Sequence, residues 1–496
     1  MKLDWRKTFL IGLGFLGISV IWQVYNLFVP IFLQAGDPTF DAQNAAQSYV
    51  VVEGDSIDTI AAQYGLEVDA LRDLNGLDAM AALEPGQRLT VAPYKGFGLN
   101  ATLTGVIMTL DNIAALFILP VIGVWSDRTR TRIGRRYPYI LTAAPVAAAA
   151  FILIPIATGM IDPLHNGDVG ANGGAFALFL IGAGLMLLGM AVLRTPVIAL
   201  MPDLIPSPLR SKANGVINFM GGIGGIIAAL GLAALFDVNP LLPFVIASVV
   251  LVVAVILLYI WVREPSLKEL AAASEGEIHE ASDEEEAIGA LKGVRLVPPQ
   301  YRRSLGFLLL AIFGWFVGYN AIETFFSSYA VTTLGITAGN AGMLFSIALL
   351  TFIVFAIPAG YIGTRFGRRR TITTGLAIFA VLLVIAFLVP NTVVIGIVLA
   401  VGGAAWSLVN INSLPMVVDT TDDERLLGTY TGLYYLASQT AAIFGPILNG
   451  WIVDLTGRNY GSIFLVTPFF FVLAIVCMRF VTRGEAHRAA VPAAVD

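Results

Sequence analysis

Twelve long apolar stretches constrain this chain more than any other feature of its sequence. Each is about 18 or more residues long, the length that a helix needs to cross the hydrocarbon core of a membrane. They are centred in 8–33, 101–124, 138–160, 174–200, 213–235, 242–262, 304–330, 338–362, 371–390, 392–415, 428–453 and 463–482. Only 13% of the 496 residues are charged, against roughly 25% in a soluble domain. We therefore predict an all-α membrane protein whose first stretch, which lacks a small-residue cleavage site, is a retained helix.

The basic residues predict the orientation of these spans. With the N-terminus placed in the cytoplasm, 24 of the 29 lysines and arginines fall in cytoplasmic segments. Basic loops stay on the cytoplasmic side when a membrane protein inserts. We therefore expect a multi-pass cell-membrane protein, in contact with the lipid bilayer, that has both termini inside the cell.

Composition and motifs exclude several other classes of protein. With one cysteine, Cys477, and three histidines, we expect no disulfide framework and no metal site. The net charge is −5 without a long basic stretch, so we expect no nucleic-acid partner. The sequence has no phosphate-binding G-x-x-x-x-G-K motif and no nucleophile beside a base. We therefore predict no enzyme and no cofactor, and we assign the glycine-rich residues 221–225 to close helix packing.

Two polar segments interrupt the series of spans. Residues 263–303 contain the acidic run 283–286 and resemble a solvated linker between two bundles. Residues 34–100 carry a net charge of −7 and fall outside the cell in the predicted orientation. The predicted division is 1–33 (first spanning helix), 34–100 (external insert), 101–262 (rest of the first bundle), 263–303 (linker), 304–482 (second bundle) and 483–496 (cytoplasmic tail).

Residues 49–93 of the insert have the pattern of a small α+β domain. The alternating stretch 49–52 predicts a strand, and apolar residues at i, i+3, i+4 and i+7 from Ile57 predict an amphipathic helix. A second short helix is expected over 68–74, and a last strand over 89–91. The order of elements is therefore strand, helix, helix, strand (βααβ).

This pattern resembles the LysM family over about 48–94. The residues that carry the resemblance are Tyr49, Gly54, Asp55, Ser56, Ile60, Ala61, Tyr64, Gly65, Leu71, Asn75, Leu77, Pro85, Gly86, Gln87, Leu89 and Pro93. The resemblance implies binding of N-acetylglucosamine-containing glycans such as peptidoglycan. The implied glycan groove is formed by Gly54, Asp55, Ser56 and Ile57 and by Leu77, Asp78, Ala79 and Met80. The alternative is that these residues only build turns.

The loops outside the insert repeat between the two halves of the chain. The loop after the second span reads G-V-W-S-D-R from Gly123 and then G-R-R from Gly134, and its counterpart after the eighth span starts at Gly360. Internal symmetry of this kind is typical of transporters built from duplicated bundles. These loops resemble the major facilitator superfamily, which implies a 12-helix fold of two six-helix bundles.

The resemblance also implies a cytoplasmic gate that pairs acids with arginines. Its predicted residues are Gly123, Asp127, Arg128, Gly134, Arg135, Arg136, Asp203, Arg210, Arg365, Gly367, Arg368, Asp419 and Arg425. Exposed pairs stabilise a state by only about 0–1 kcal/mol each, which suits a switch between states of similar energy. The alternative for each arginine is a membrane anchor, and Thr364 stands where the second copy would carry its aspartate.

Within the superfamily the chain resembles the sucrose/proton symporter branch, which is related to the glycoside-pentoside-hexuronide symporters. Residues 22–30, 126–140 and 194–204 carry this resemblance. Sodium-coupled relatives place acids on the second span at positions that are Ala115 and Leu119 here. The resemblance therefore implies coupling to protons.

Three ionisable residues lie well inside the predicted spans, namely Asp111, Arg194 and Glu323. Charge at membrane depth is costly, so such residues indicate function. A carboxyl group shielded from water retains its proton more readily, whereas Arg194 stays charged. We predict that Asp111 and Arg194 form a coupling pair and that Glu323 binds substrate or a second proton. The alternative is a structural charge cluster.

Neutral polar and aromatic side chains in the spans can complete a sugar site, since sugars need uncharged donors and acceptors and a flat apolar face. The candidates are Gln23, Tyr25, Asn26, Asn112, Tyr319, Asn320, Trp406, Asn410, Asn412 and Gln439. Helix packing is the alternative for each of them.

The sequence thus predicts a secondary transporter that imports a glycoside or oligosaccharide with protons by alternating access. Two alternatives stay open. The bundle is a wall-tethered receptor or anchor that no longer transports, or the carrier imports wall-derived amino-sugar fragments captured by the LysM domain.

Overall fold

The computed structural model describes residues 4–43, 48–64, 67–78, 82–91, 94–205, 207–264, 297–421 and 427–485. The predicted linker, with its acidic run, lies almost entirely outside these residues. The helices are α1 (Trp5–Gln34), α2 (Pro38–Gln43), α3 (Ile57–Tyr64), α4 (Val68–Leu74), α5 (Ala101–Met108), α6 (Leu110–Arg128), α7 (Tyr137–Gly159), α8 (Gly173–Leu204), α9 (Ser207–Ile226), α10 (Ala233–Val238), α11 (Leu241–Trp261), α12 (Pro299–Thr332), α13 (Ala338–Phe366), α14 (Arg368–Leu388), α15 (Thr392–Val418), α16 (Leu427–Leu455) and α17 (Ile463–Met478). The strands are β1 (Ser48–Val50) and β2 (Arg88–Thr90).

Twelve helical segments in the described chain are long and apolar enough to cross a membrane, in agreement with the twelve predicted spans. Nine spans are single helices; the second combines α5 with α6, the fifth combines α9 with α10, and the twelfth adds a 3-10 turn (Tyr460–Ser462) to α17. The protein is therefore a multi-pass membrane protein.

The spans pack as two halves that meet along a seam. In the first half α1 packs on α9 and α11, and α7 packs on α8 and α11. In the second half α12 packs on α16 and α17, and α15 packs on α13 and α14. Across the seam α5 contacts α16, α10 contacts α13 and α1 contacts α12. Spans two and five of the first half thus face spans eleven and eight of the second.

Two spans that the apolar pattern predicts as continuous are interrupted. The second span breaks at Thr109 (φ −98°, ψ −2°), whose hydroxyl donates to the Val106 carbonyl at 2.9 Å. The fifth span contains a π-helical turn at Ile227–Leu232. Both breaks fall inside the spans, on the side nearer residues 101 and 238, and π turns inside helices are frequent at functional sites.

The glycines before that π turn lie at close helix contacts, as predicted: Gly221 and Gly224 face α1, and Gly222 faces Ile353 of α13. A methyl group on Gly224 would lie 2.5 Å from the carbonyl oxygen of Leu16. Glycine is therefore needed where these two helices approach each other.

The insert contains a small domain with its own apolar core. Strands β1 and β2 pair antiparallel, with Tyr49 opposite Leu89. The buried core residues are Val51, Ile57, Ile60, Ala61, Leu71, Leu89 and Val91. The Asn75 side chain joins α4 to β2, because it accepts from the Thr90 amide at 2.7 Å and donates to the Leu71 and Thr90 carbonyls.

The two ends of the bundle are named here by what they carry. The insert end is the end at which residues 35–100 emerge. The opposite end carries the loop 129–136 and the turn at Gly367.

Candidate functional site

Asp111 lies at the break in the second span. Because α6 starts at Leu110, Asp111 occupies the first turn of a new helix, where free backbone N–H groups favour a negative charge. Its Oδ1 accepts a hydrogen bond from the Asn112 amide at 2.9 Å. The side chain is partly accessible. The break therefore places a partly accessible carboxylate at membrane depth, at the start of a helix.

Glu323 of α12 lies across the seam from the first half. The Asn26 amide of α1 donates to Glu323 Oε1 at 3.3 Å, which joins the two halves at the centre of the bundle. The charges of Glu323 and Asp111 interact electrostatically. Two of the predicted coupling residues therefore belong to one electrostatic cluster that spans the seam.

Arg194 of α8 completes this cluster without being paired. Its charge interacts with that of Asp111. Among the described residues it makes neither a hydrogen bond nor an ion pair. A guanidinium carries five N–H donors, so those of Arg194 remain available to a ligand or to Asp111 in another state.

A flat aromatic surface lies near Glu323. The rings of Tyr319 and Trp406 are stacked, with centroids 4.3 Å apart and planes within 3°. Phe316 packs edge-on against Trp406 at 5.7 Å. The Tyr319 hydroxyl is also close enough to Glu323 for an electrostatic interaction. Because Trp406 is buried, the partly exposed Tyr319 is the ring of this stack that a ligand can contact.

Two buried polar groups of α1 lack partners, and one of them lies close to Asp111. Gln23 is buried, and its Nε2 has no hydrogen-bond partner in the described chain. The same is true of the Tyr25 hydroxyl, which is close enough to Asp111 for an electrostatic interaction. Other buried groups of the described chain, such as Gln34 Nε2 and Trp315 Nε1, also lack partners, so only the Tyr25 hydroxyl, through its interaction with Asp111, is assigned to the central cluster.

The structure gives other predicted substrate residues internal partners. The Asn412 amide donates to the Ala359 and Leu408 carbonyls at 3.1 and 2.9 Å, and the Asn320 amide donates to the Phe316 carbonyl at 2.7 Å. These bonds are those of helix packing. Asn410 and Gln439 are partly exposed, and the described residues offer their side chains no hydrogen bond.

At the opposite end the first half carries a buried ion-pair network. Arg135 pairs with Asp203 at 2.6 Å, and Arg136 pairs with Asp203 at 3.1 Å and with Asp127. Glu264 accepts from the backbone N–H groups of Arg135 and Arg136 at 2.9 and 3.0 Å. This acid, which follows the sixth span, was not predicted.

The second half repeats this arrangement. Arg368 pairs with Asp419, and Glu485 accepts from the backbone N–H groups of Arg368 and Arg369 at 2.6 and 3.2 Å. Gly134 and Gly367 have φ values of 109° and 94° beside the two capping glutamates, a conformation that favours glycine. The first acid after the last span of each half is the sequence signal for Glu264 and Glu485.

The remaining predicted gate residues do not join the halves in this conformation. Arg128 is exposed, Arg365 reaches Tyr361 on its own helix at 3.3 Å, and Gly123 accepts from Ser126. The Arg210 side chain and Arg425 lie outside the described residues. Within the described chain, every ion pair at the opposite end joins groups of the same half.

We expect Arg136→Ala to destabilise the folded protein. Arg136 is 5% exposed and contacts Ser126, Asp127 and Asp203. Its removal deletes bonds to Ser126, Asp127 and Asp203, and a hydrogen bond to a charged group contributes about 1.5–3 kcal/mol; Asp203 keeps its second partner, Arg135. Thermal unfolding of the purified protein in detergent measures this loss. Arg128→Ala, at an exposed arginine of the same loop system, is the matched control, and equal melting temperatures for the two variants would contradict the expectation.

The insert end holds the halves together through two acids that were not predicted. Asp454 at the end of α16 accepts from the backbone N–H groups of Ala101 and Thr102 at 3.0 and 2.9 Å, and from the Thr102 hydroxyl at 2.5 Å. Each half thus offers an acid to the other half, because Asp237 of α10 accepts from the Gly339 N–H at 3.0 Å and from the Thr337 hydroxyl at 2.5 Å.

These contacts have the symmetry of the fold. Asp454 ends the eleventh span and binds the start of the second span, whereas Asp237 ends the fifth span and binds the start of the eighth. Both acids occupy a helix N-terminus, the position at which a carboxylate is most stabilising. The two contacts, called the symmetric caps below, close the seam at the insert end.

The LysM residues predicted to bind glycan are only partly available. The Ile57 side chain is buried in the domain core. Asp55 holds its own turn, because Oδ2 accepts from the Tyr49 hydroxyl at 2.7 Å and from the Val52 N–H at 2.8 Å. Ser56 caps α3 through the Thr59 N–H at 3.2 Å.

The rest of the predicted groove is exposed or undescribed. Gly54 and Asp78 are exposed and Leu77 is half-buried. Ala79 and Met80 lie outside the described residues. Backbone groups of the two loops, more than the side chains of Asp55 and Ile57, are therefore left for a glycan.

Short segments on either side of the LysM domain, called the outgoing stem (35–43) and the return stem (94–100), attach it to the bundle. In the outgoing stem Asp37 pairs with Arg458 at 2.9 Å, and Phe40 is fully buried against Tyr460 with ring centroids 6.0 Å apart. In the return stem the Gly96 N–H donates to Asn166 at 2.9 Å.

We expect attachment of the outgoing stem to weaken as the pH rises through about 7. Burial raises the pKa of Asp41 from 3.8 to about 7, an effect reinforced by Asp37 and opposed by the Gly36 N–H. Because the folded pKa exceeds the unfolded value of 3.8, the stabilisation is complete below that value, declines as the pH rises and is fully lost once the pH passes about 7. Limited proteolysis of the insert at about pH 5 and about pH 8, which span most of this window, measures it. Asp41→Asn should abolish the difference, and Asp58→Asn, at an exposed acid, should keep it.

Comparison with known proteins identifies both parts of the chain. The sequence profile of the Major Facilitator Superfamily matches residues 87–343 and 324–495. The profile of the LysM domain matches residues 49–92.

Curated relatives are transporters. A general alpha-glucoside permease of Schizosaccharomyces pombe is 28% identical over 45% of this chain and 42% of its own length. A sucrose transport protein of Arabidopsis thaliana is 28% identical over 28% of this chain and 24% of its own. A hexuronate transporter of Bacillus subtilis is 23% identical over 64% of this chain and 76% of its own. The chain thus spans less than half the length of the first two.

Solved structures share the fold at low identity. A nucleoside transporter superposes with a TM-score of 0.61 at 13% identity, over 96% of this chain and 100% of that one. A bacterial homolog of the human lysosomal transporter Spinster, in an inward-facing and occupied conformation, gives a TM-score of 0.58 at 14% identity over 97% of each chain. The chain belongs to the major facilitator superfamily and carries a LysM domain between its first and second spans.

Proposed function

We propose that this protein is a secondary transporter that imports a glycoside or oligosaccharide together with protons. The observation that carries the proposal is the central cluster, in which Asp111, Glu323 and an unpaired Arg194 lie at membrane depth beside the Tyr319–Trp406 stack. The permease and sucrose-transporter relatives support a sugar as the substrate.

The proposed orientation follows from the basic residues. Of the 29 lysines and arginines, 24 lie in the loops and chain termini at the opposite end. That end therefore faces the cytoplasm, and the insert end faces outward. The symmetric caps then close the outer side of the carrier. In this orientation we assign the structure to the inward-facing stage of an alternating-access cycle, with both termini in the cytoplasm.

Proton coupling is assigned to the two acids of the cluster. A carboxyl group that is protonated outside and ionised inside carries one proton per cycle, and each inward proton contributes about 2.3 kcal/mol per 100 mV. The guanidinium of Arg194 holds the ionised acid or donates a fork of hydrogen bonds to sugar hydroxyls. The carrier can thus accumulate its substrate about 50-fold at that potential.

Uptake into proteoliposomes tests this proposal. Sucrose, maltose and chitobiose are offered with and without an inward proton gradient at two pH values. We expect at least one of them to accumulate only when the gradient is imposed. Equal uptake with and without the gradient would refute proton coupling, and accumulation of chitobiose alone would favour import of wall-derived amino sugars.

The LysM domain supports a second role, attachment to a glycan of the cell wall. Its match over residues 49–92 is the observation that favours this role. Replacing 48–91 by a Gly/Ser linker should abolish co-sedimentation of the carrier with peptidoglycan. If sugar uptake is unchanged in that variant, the domain is a tether; if uptake of amino sugars alone falls, it captures substrate. A parent protein that transports none of the sugars but binds peptidoglycan would be the anchor.

A further inference from the structure

The outgoing stem crosses the seam between the two halves within a few residues. Its first residues lie on the first half, because the backbone of Gly36 packs against that of Gly167, and because the Gly98 N–H donates to the Ala35 carbonyl at 2.8 Å. Gly36 has φ +86°, and a methyl group there would lie 2.8 Å from the Asn166 carbonyl carbon. No larger residue fits at this crossing.

The same stem is fixed to the second half a few residues later. Phe40 is fully buried against Tyr460, and Asp37 pairs with Arg458. Arg458 adopts a left-handed backbone conformation with φ 65°, and its Nε lies 3.2 Å from Asp454. One arginine therefore connects the outgoing stem to a symmetric cap.

The length of the link limits how far the halves can separate. Three residues, 35–37, connect the end of α1 to α2. A fully extended chain spans at most about 3.6 Å per residue, so this link reaches at most about 11 Å. Part of that length is fixed, because the Gly36 backbone packs against Gly167. If the halves part at the insert end, Phe40 must leave Tyr460 or α1 must move with the second half.

The return stem is also attached on both sides of the seam. On the first half Lys95 donates to the Ile161 carbonyl at 2.8 Å, and Phe97 packs against Phe176 and Phe179 at 5.0 and 5.1 Å. On the second half the Tyr94 hydroxyl accepts from the Ala338 N–H at 2.8 Å. Ala338 is the first residue of the helix that Asp237 caps.

We propose that the two stems are part of the carrier's gate: each one fastens the two halves at the insert end beside a symmetric cap, so that the gate opens only when the stems release the second half. The LysM domain is then attached directly to the gate, and a glycan bound to it is connected to the two halves that move. This inference rests on the proposed alternating-access function, but its test needs no knowledge of the substrate.

A buried cysteine in α5, next to Gly105, which contacts Pro446 across the seam, reports release of the stems. Thr104 in α5 is fully buried and its hydroxyl has no partner in the described chain, so Thr104→Cys is conservative. In a Cys477→Ser background, labelling by a membrane-impermeant maleimide is measured in sealed vesicles that expose the insert end. We expect Phe40→Ala and Asp37→Asn each to raise the labelling rate by about threefold or more, because weakening one state shifts the population to the other.

Three controls keep the inference falsifiable. Phe469→Ala and Asp58→Asn remove an exposed phenylalanine and an exposed acid and should not change labelling. Replacing 48–91 by a Gly/Ser linker keeps both stems, so labelling should stay low although peptidoglycan binding is lost. Asp37→Asn keeps the size of the side chain and guards against misfolding. Unchanged labelling in both stem variants would overturn the proposal, whatever the carrier transports, as would a large increase in the linker variant.

Discussion

An Asp111→Asn carrier is expected to exchange sugar across a membrane without concentrating it. Asparagine has the size of aspartate and can bond to Asn112, which already donates to Asp111 at 2.9 Å, but it carries no proton. Accumulation should fall from about 50-fold at 100 mV to equilibrium. Counterflow, in which labelled sugar enters in exchange for unlabelled sugar, should continue because no net proton movement is needed.

Proteoliposomes measure both activities on one preparation. Asp162→Asn, at an exposed acid of a loop, is the matched control and should accumulate sugar like the parent. Normal gradient-driven accumulation by Asp111→Asn would show that the residue is structural. Loss of counterflow together with accumulation would place Asp111 in sugar binding instead.

The Glu323→Gln variant should distinguish the role of Glu323 from that of Asp111. Glutamine keeps an oxygen for the Asn26 amide, which donates to Glu323 at 3.3 Å across the seam, so the link between the halves is retained. If Glu323 carries a second proton, this variant also loses accumulation but keeps counterflow. If it binds substrate, the Michaelis constant for counterflow rises instead, and accumulation at saturating sugar persists.

The sequence predicted those features whose energetic cause lies within a few neighbouring residues. A charge inside an apolar span is costly, so Asp111, Arg194 and Glu323 stand out without any knowledge of neighbouring helices. Strand alternation, helix periodicity and turn glycines are likewise local, and they predicted the core of the LysM domain.

Other features depend on how distant elements meet. The stack of Tyr319 on Trp406 requires the rotation of two helices about their axes, which periodicity does not define. Asp454 and Asp237 lie at span ends, where acids are common, so only the opposite helix N-terminus reveals their role. The break at Thr109 contains neither proline nor glycine, and an apolar count therefore predicts a continuous helix across it.

Removing the symmetric caps should open the carrier towards the insert end. Asp454 accepts three hydrogen bonds from α5, two of them from backbone N–H groups, and Asp237 makes two such bonds to the start of the eighth span. A hydrogen bond to a charged group contributes about 1.5–3 kcal/mol, so losing one set should shift the two-state equilibrium about tenfold or more. Labelling of the Thr104→Cys reporter in Asp454→Asn and Asp237→Asn measures this shift.

The two caps share no partner, and their effects on the equilibrium should therefore add in the double variant. Symmetry makes this a stringent test. If the caps only terminate helices, each variant lowers the melting temperature without changing labelling, and the double variant behaves likewise. If they are gate contacts, labelling rises in each single variant, rises further in the double variant, and returns towards the parent level when a saturating cytoplasmic substrate favours the inward-facing state. If the cap variants lower the melting temperature but leave the labelling of Thr104→Cys unchanged, only the stems remain as gate contacts at the insert end.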